Sequence, residues 1–322
     1  MNNLTNLHLI NFLRAWDNHC QEASDQNLIP LLAVIGPTAS GKTSLGIALA
    51  RHFNGEIISA DSRQIYQEMD IGTAKPTLAE QQSARHHLIN LVLPDQTVSL
   101  ADYQNLANQT IIQISNQNKL PLLVGGTGLY INAVSQNYQL PASTPNQELR
   151  QELTQLATQL GNQSVYAKLI ELDPQAAASI HPNNLRYVIR AIEVVSQTKQ
   201  PRSNLLAPSP YHPFYLNIDW PRAELYRRIE ERIDLQLSQG LIEETRYLLS
   251  KYDRHLPSLS SLGYQEIGAF LREEDTFENA IVKFKQNTRN YAKRQLTWFR
   301  KIKSVYSMPG QELSEIINQL CQ

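Results

Sequence analysis

The sequence predicts an α/β fold: a central, mostly parallel sheet flanked by helices, with an all-helical segment set into it. Three observations point there. The apolar run Leu31–Ile35 leads into Gly36-Pro37-Thr38-Ala39-Ser40-Gly41-Lys42-Thr43, and Ser44–Ala50 then places apolar residues at helical spacing. Two further buried-type runs, Glu56–Ala60 and Leu120–Val124, end at Asp61 and at Gly125-Gly126-Thr127-Gly128. Residues 141–205 are rich in Gln, Asn and Pro and show no β-type alternation.

Length and composition set the frame. A chain of 322 residues holds one large α/β domain, with or without a smaller companion. A hydrophobic share of 42% and a charged share of 18% are those of an ordinary globular protein. The net charge of −1 means that any basic surface must be local. No apolar run approaches the ~20 residues of a membrane span, and no secretory signal pattern opens the sequence, so the expected location is cytoplasmic. Cys20 and Cys321 stand near opposite ends and suggest neither a disulfide framework nor a zinc site.

Residues 1–29 read as an extension in which Leu9, Phe12, Leu13 and Trp16 share one face of a short helix, packed outside the core. The glycine loop that follows is a phosphate-binding loop. Strand, G-x-x-x-x-G-K-T and helix occur in the order that chemistry requires. Gly36 and Gly41 allow the tight turn, and successive backbone N–H groups of the loop and the following helix N-terminus converge on one phosphate chain. Lys42 adds a positive charge, and the Thr43 hydroxyl is placed to ligate Mg²⁺. The protein therefore binds a di- or triphosphate.

Asp61 ends the second predicted strand. Ligands of open parallel sheets bind beyond the carboxyl ends of strands, so this carboxylate is aimed at the phosphate pocket. There it can bind Mg²⁺ or act as a general base; the plainer alternative is a helix cap. Met69–Pro76 is a turn-rich connection carrying Lys75. His86 and His87 lack metal-ligand spacing partners and read as packing or hydrogen-bonding residues. The second glycine-rich strand end, Gly125–Tyr130, permits close backbone approach to a ligand and offers the Thr127 hydroxyl, as the far wall of the same pocket.

In the helical segment, helices are expected over Glu148–Leu160, Ser164–Leu172 and Asn183–Ser196, with Arg186 and Arg190 on one face. Strand character returns at Phe214–Trp220, and Arg222–Leu249 reads as one long helical stretch carrying Arg227, Arg228, Arg232 and Gly240. Lys283–Lys303 holds many Lys and Arg, no Asp or Glu, and interleaved Tyr291, Trp298 and Phe299. Basic residues with aromatics and amides suit an RNA surface, where phosphates are paired and splayed bases stacked; a solvated basic helix face is the alternative.

Taken together, Gly36–Thr43, Asp61-Ser62-Arg63-Gln64-Ile65-Tyr66, Met69–Pro76, His86-His87-Leu88-Ile89, Val124–Tyr130 and Ala292–Arg300 resemble, in order, the signatures of the tRNA dimethylallyltransferases. The resemblance covers about residues 31–303. It implies a P-loop NTPase-like core turned from ATP to dimethylallyl diphosphate. It implies a monomer with no membrane partner, using Mg²⁺. The five-carbon group would pass to N6 of the adenosine just 3′ of the anticodon, in tRNAs reading codons that begin with U. The resemblance further implies an extension over 1–29, a catalytic core over 30–140 and 206–322, and a helical insertion over 141–205 that grips the anticodon stem-loop.

Carried over residue by residue, the resemblance makes Asp61, Thr127 and Lys42 catalytic. The loop Gly36–Thr43 with Arg232 would hold the diphosphate, and Thr43 the metal. Contacts to tRNA would come from Asp61, Ser62, Arg63, Gln64, Thr127, Arg150, Arg186, Tyr187, Arg190, Gly263, Tyr264, Lys293, Arg294, Gln295, Thr297, Trp298 and Arg300. Two positions depart from the family's pattern: Asn90 stands where Asp is usual, and Asn184 where Asp is usual before the arginine segment. Both are read as structural. The chain has no zinc finger of the kind carried by eukaryotic relatives, which suits a bacterial or organellar-type enzyme. Competing readings are an adenylate isopentenyltransferase, a P-loop kinase of small molecules, and a non-catalytic RNA-binding protein.

Overall fold

A computed structural model describes residues 5–140, 146–198 and 207–322. The chain divides into two compact units, Met1–Ser135 with Pro210–Gln322, and Gln136–Ser209. The ends of the expected insertion, at 141–145 and 199–205, and the first four residues of the expected extension lie outside the described residues.

The first unit begins with α1 (Leu7–Asp25), β1 (Ile29–Ile35), α2 (Lys42–His52), β2 (Gly55–Ser59), α3 (Leu78–Ser83), β3 (His86–His87), α4 (Leu100–Asn116), β4 (Leu120–Gly125) and α5 (Gly128–Ser135). The second unit holds α6 (Gln147–Leu160), α7 (Asn162–Leu172), α8 (Pro174–Ser179) and α9 (Leu185–Thr198). The first unit resumes with β5 (Tyr211–Asp219), α10 (Arg222–Ser238), α11 (Leu241–Lys251), α12 (Tyr264–Leu271), α13 (Phe277–Phe299), β6 (Val305–Pro309) and α14 (Leu313–Leu320).

The six strands form one sheet in the order β3-β2-β4-β1-β5-β6, and every described pairing is parallel. The phosphate-loop strand β1 is central, buried between β4 and β5, which explains its unbroken apolar run. Its side chains alternate. Leu32 and Val34 join the apolar faces of α1, α2 and α14, whereas Leu31, Ala33 and Ile35 join α4 and α5 on the other face. A third cluster, built from α10 to α13 and the segment around Ile65–Met69, meets the first at Trp220 and the second at Leu91 and Val98. The second unit is a small helical body with its own core of Leu153, Val165, Leu169, Val188 and Ile192.

Two expectations change in the structure. The N-terminal segment is a helix of 19 residues rather than a short outer one, and Leu9, Phe12 and Trp16 are buried within the sheet's core cluster. Asn6 caps it, its side chain accepting the Leu9 N–H at 3.0 Å. The stretch from Arg222 is two helices, α10 and α11, because Gly240 takes the left-handed conformation (φ 102°) and ends the first before starting the second. No helix among the described residues is long and apolar enough to cross a membrane.

Candidate active site

The site lies beyond the carboxyl ends of β1, β2 and β4, all within the first unit. A pocket there is lined by Thr38, Lys42, Thr43, Asp61, Gly126 and Arg232, with Ser59, Gln64, His86, Tyr291 and Gln295 also on its wall. The sheet explains this convergence: β1 delivers Gly36–Thr43, β2 delivers Asp61, and β4 delivers Gly126 and Thr127.

The phosphate loop is shaped by left-handed residues, Ala39 (φ 62°) and Gly41 (φ 93°). At Gly41 a side chain would be excluded twice over, since a Cβ would also stand 2.4 Å from Leu313 Cδ2. The loop is braced from outside. Trp220 donates its indole N–H to the Ser40 carbonyl at 2.9 Å, and Arg228 donates to the Ala39 carbonyl at 3.0 Å while stacking 4.3 Å above the Trp220 ring. Inside the loop, the buried Ser40 hydroxyl has no hydrogen-bond partner. Lys42 donates to the Pro37 carbonyl at 2.6 Å.

Electrostatics mark the pocket as an anion site. Burial, reinforced by the Arg232 guanidinium, pulls the Lys42 ammonium down to about 7, and the Asp61 carboxylate opposes the shift. Although partly open to the pocket, Lys42 is surrounded by protein, so solvation is poor. Arg232 is lowered for the same first reason, burial, again opposed by Asp61. Two crowded cations facing one carboxylate leave a positive excess, which a diphosphate would neutralise.

Asp61 does not cap a helix, because turns rather than a helix follow it. Its Oδ1 accepts the Arg63 N–H at 2.9 Å in a local turn. Beside it, the Thr127 hydroxyl accepts the Ser62 N–H at 3.0 Å, so the strand ends of β2 and β4 are locked together. Tyr291 hydrogen-bonds Thr127, and burial, then the nearby Asp61 charge, pushes its phenol up to about 12. Gln64 receives a hydrogen bond from Ser59 at 3.1 Å and donates to the Ala74 carbonyl at 3.2 Å. Arg63 reaches the Pro257 carbonyl at 2.9 Å.

Several residues expected on tRNA serve the protein's own framework. Gln295 is buried; its Oε1 accepts the Thr38 N–H and its Nε2 donates to the Gly126 carbonyl, both at 2.9 Å. Tyr264 is 2% exposed and donates its hydroxyl to Glu244, and Gly263 packs beneath Phe284, where a Cβ would meet the ring at 2.9 Å. Trp298 is half-buried over Gly128. Arg150 grips both oxygens of the buried Glu193 at 2.9 Å, and Arg190 pairs with the same carboxylate. The close approach offered by the second glycine turn is used by protein atoms: the Ala60 carbonyl at Gly125, Gln295 at Gly126 and Trp298 at Gly128. By contrast Lys293, Arg294 and Thr297 are exposed on α13, as are Arg300 at its C-terminal cap and Arg186 and Tyr187 on α9.

Some site residues escape a motif-based reading. Tyr291 sits one helical turn before Gln295, so the period of α13 separates a face turned to the pocket from a basic face turned to solvent. His86 donates Nδ1–H to the Ala84 carbonyl at 2.8 Å, leaving its buried Nε2 without a partner in the pocket wall. Its neighbour His87 is held by Glu56 at 2.6 Å, and Lys119 pairs with the other oxygen at 2.6 Å. Lys75 is structural. It donates to the Tyr66 carbonyl, Asp70 and Asn90, and Asn90 thereby fills the position where the resemblance anticipates Asp.

The model of the IPP transferase family matches residues 64–302. The tRNA dimethylallyltransferase of Roseiflexus sp. (strain RS-1) is 46% identical over 301 residues, covering 91% of this chain and 99% of that one. Among solved structures, the tRNA isopentenylpyrophosphate transferase of Bacillus halodurans aligns with a TM-score of 0.67 and 41% identity, over 90% of this chain and 96% of that one. A eukaryotic dimethylallyltransferase captured acting on tRNA aligns with a TM-score of 0.77 and 26% identity, over 89% and 75% of the two chains.

Proposed function

The chain belongs to the IPP transferase family, and within it we propose that the protein is a tRNA dimethylallyltransferase. It moves the dimethylallyl group of dimethylallyl diphosphate to N6 of the adenosine 3′ to the anticodon, in tRNAs reading codons that begin with U. One observation carries the reading: Lys42, Thr43 and Arg232 share a single pocket with Asp61, whose far wall is Gly125 and Gly126, with Thr127 next in the chain and bonded to the Ser62 N–H beside Asp61.

An allylic diphosphate breaks its C–O bond readily once the departing diphosphate is stabilised. The loop N–H groups, Lys42 and Arg232 supply that stabilisation where charge develops. Adenine N6 is a poor nucleophile because its lone pair is delocalised into the ring. The Asp61 carboxylate hydrogen-bonds the amine and takes one proton as the N6–carbon bond forms. Thr127, fixed by Ser62 and Tyr291, lines the reacting region. A stacked adenine cannot reach this pocket, so the base is flipped out of the anticodon loop.

The donor set fits Mg²⁺, a hard cation that prefers oxygen and keeps several waters. Thr43 lines the pocket beside the phosphate loop, and the Ser40 hydroxyl, buried inside that loop, has no hydrogen-bond partner. Mg²⁺ held at Thr43 would neutralise charge on the diphosphate oxygens. The exposed basic face of α13, with Lys293 and Arg294, and Arg300 at its cap support an RNA acceptor, and the helical unit is read as the tRNA-gripping insertion. The protein is read as a monomer.

The acceptor is tested by offering the enzyme and donor either an unmodified anticodon stem-loop or AMP, and digesting the products to nucleosides. Modified adenosine from the stem-loop alone supports the reading. Modification of AMP alone would reassign the protein as an adenylate isopentenyltransferase.

A further inference from the structure

The N-terminal helix brings a cluster of metal-ligand type against the sheet, remote in sequence from every motif of the transfer site. His19 and Glu22 stand on α1, and His212 is the second residue of β5. One donor atom from each of the three lies within 4.8 Å of the others.

Two of the three are held in place. His212 is paired in the sheet opposite Pro30 of β1. The His19 ring stacks against Trp16 with centroids 5.6 Å apart, and meets the Phe214 ring edge-on at 5.1 Å. His19 Nε2 also contacts the His212 carbonyl at 2.9 Å. A carbonyl only accepts, so Nε2 carries the hydrogen and the neutral ring keeps its lone pair on Nδ1. A metal-binding histidine usually donates its other ring N–H to a carbonyl or carboxylate, the hydrogen bond that His19 makes here. The two imidazole rings are 4.0 Å apart between centroids, and Glu22 Oε2 lies 3.7 Å from His212 Nε2. Ligands at about 2.0–2.2 Å from a tetrahedral zinc ion stand about 3.3–3.6 Å from one another. Glu22, 64% exposed on its helix, is free to make the remaining adjustment.

We propose that His19, Glu22 and His212 form a site for a divalent transition metal of the zinc, cobalt or nickel class, which clasps α1 to β5. Two imidazoles and one carboxylate select these borderline ions over Mg²⁺. The fourth position is left for water. The clasp gives the N-terminal segment a role that the transfer chemistry does not: it fastens a helix outside the family signatures onto the strand beside β1.

The test uses the full chain without a histidine tag, stripped with chelator, and titrated with CoCl₂ and ZnCl₂. The expected result is one saturable equivalent per chain, a visible cobalt absorption abolished by added zinc, and no competition from millimolar Mg²⁺. His212→Ala and Glu22→Gln should each weaken binding by about tenfold or more, while Cys20→Ala and Cys321→Ser leave it unchanged. Glu22 is exposed, so its variant reports on the site even where His212→Ala is poorly folded, and its tRNA modification rate verifies folding. Absence of saturable binding, or binding undiminished in Glu22→Gln and His212→Ala, overturns the proposal.

Discussion

Gln295 accepts the backbone N–H of Thr38 at 2.9 Å, which ties the basic helix α13 directly to the phosphate loop. The same amide donates to Gly126 across the pocket, so one side chain spans both glycine turns. Gln295→Ala leaves the buried Gly126 carbonyl unsatisfied, at about 1–3 kcal/mol, and frees the half-buried Thr38 N–H. Its expected signature is a fall in single-turnover rate and weaker donor binding, with anticodon stem-loop affinity retained. Filter binding and rapid quench measure the two separately. Loss of stem-loop binding with the rate kept would mean that Gln295 reads RNA after all.

Lys42 makes donor binding pH-dependent. Its pKa of about 7 in the free protein rises when a diphosphate sits beside it, so binding takes up a proton above that pH. Affinity for a non-hydrolysable donor analogue is expected to be flat below pH 7. Above it, affinity falls by up to about tenfold per pH unit until the bound-state pKa is reached. Arg232→Gln removes a like charge and moves the midpoint upward, even as it weakens binding overall. Calorimetry across pH 6–9 checks both, and a profile with no break near neutrality contradicts the assignment.

Glu193 governs the acid stability of the helical unit. Burial pushes its pKa up, but hydrogen bonds from Arg150, Arg190 and the Asn146 N–H prevail and hold it at about 2. A carboxylate depressed in the folded state contributes stability that is full above its unfolded pKa and is lost as pH falls through the folded one. Hydrogen exchange over residues 146–198 should therefore accelerate between about pH 4.5 and 2, and Glu193→Gln should show that protection loss already at pH 7.

Phe12 tests whether the N-terminal helix is part of the core. Its ring is fully buried and packs edge-on against Phe214 and Tyr306 at 5.9 and 5.8 Å. Phe12→Ala should cost about 3–5 kcal/mol in urea unfolding. A cost under about 1 kcal/mol would mean that α1 is an appendage.

What could be read from the sequence was whatever local pattern encodes. The phosphate loop needs its glycines and lysine at fixed spacing, and β1 needs an unbroken apolar run, so both stand out in the chain. Asp61 followed from its place at a strand end. The duties of Gln295, Tyr264 and Arg150 did not, because their partners Thr38, Glu244 and Glu193 lie far away in sequence and a motif does not say which side of it faces inward. Tyr291 was accessible in principle, one turn from Gln295 on the same face of α13. The core role of α1 was hidden for another reason: its apolar face, Leu9, Phe12 and Trp16, is covered by strands from the opposite end of the chain.

RNA binding should separate from donor binding. Lys293 and Arg294 are exposed and lie outside the pocket. Replacing both with Glu should weaken stem-loop binding and lessen its salt dependence by about two phosphate contacts. The donor analogue should bind as before. Equal loss of both ligands would contradict a separate RNA face.

The central claim is that Asp61 activates adenosine N6 opposite a diphosphate held by Lys42. Its most direct test is the mass of nucleosides recovered from unmodified tRNA after a single turnover with dimethylallyl diphosphate and Mg²⁺, for the native protein and Asp61→Asn. One added C5H8 unit on a single adenosine is expected with the native chain. The rate should be lower by about 10²–10⁴-fold in Asp61→Asn, with donor and stem-loop still bound. An unmodified product from the native chain, or an unchanged rate in Asp61→Asn, would contradict the claim.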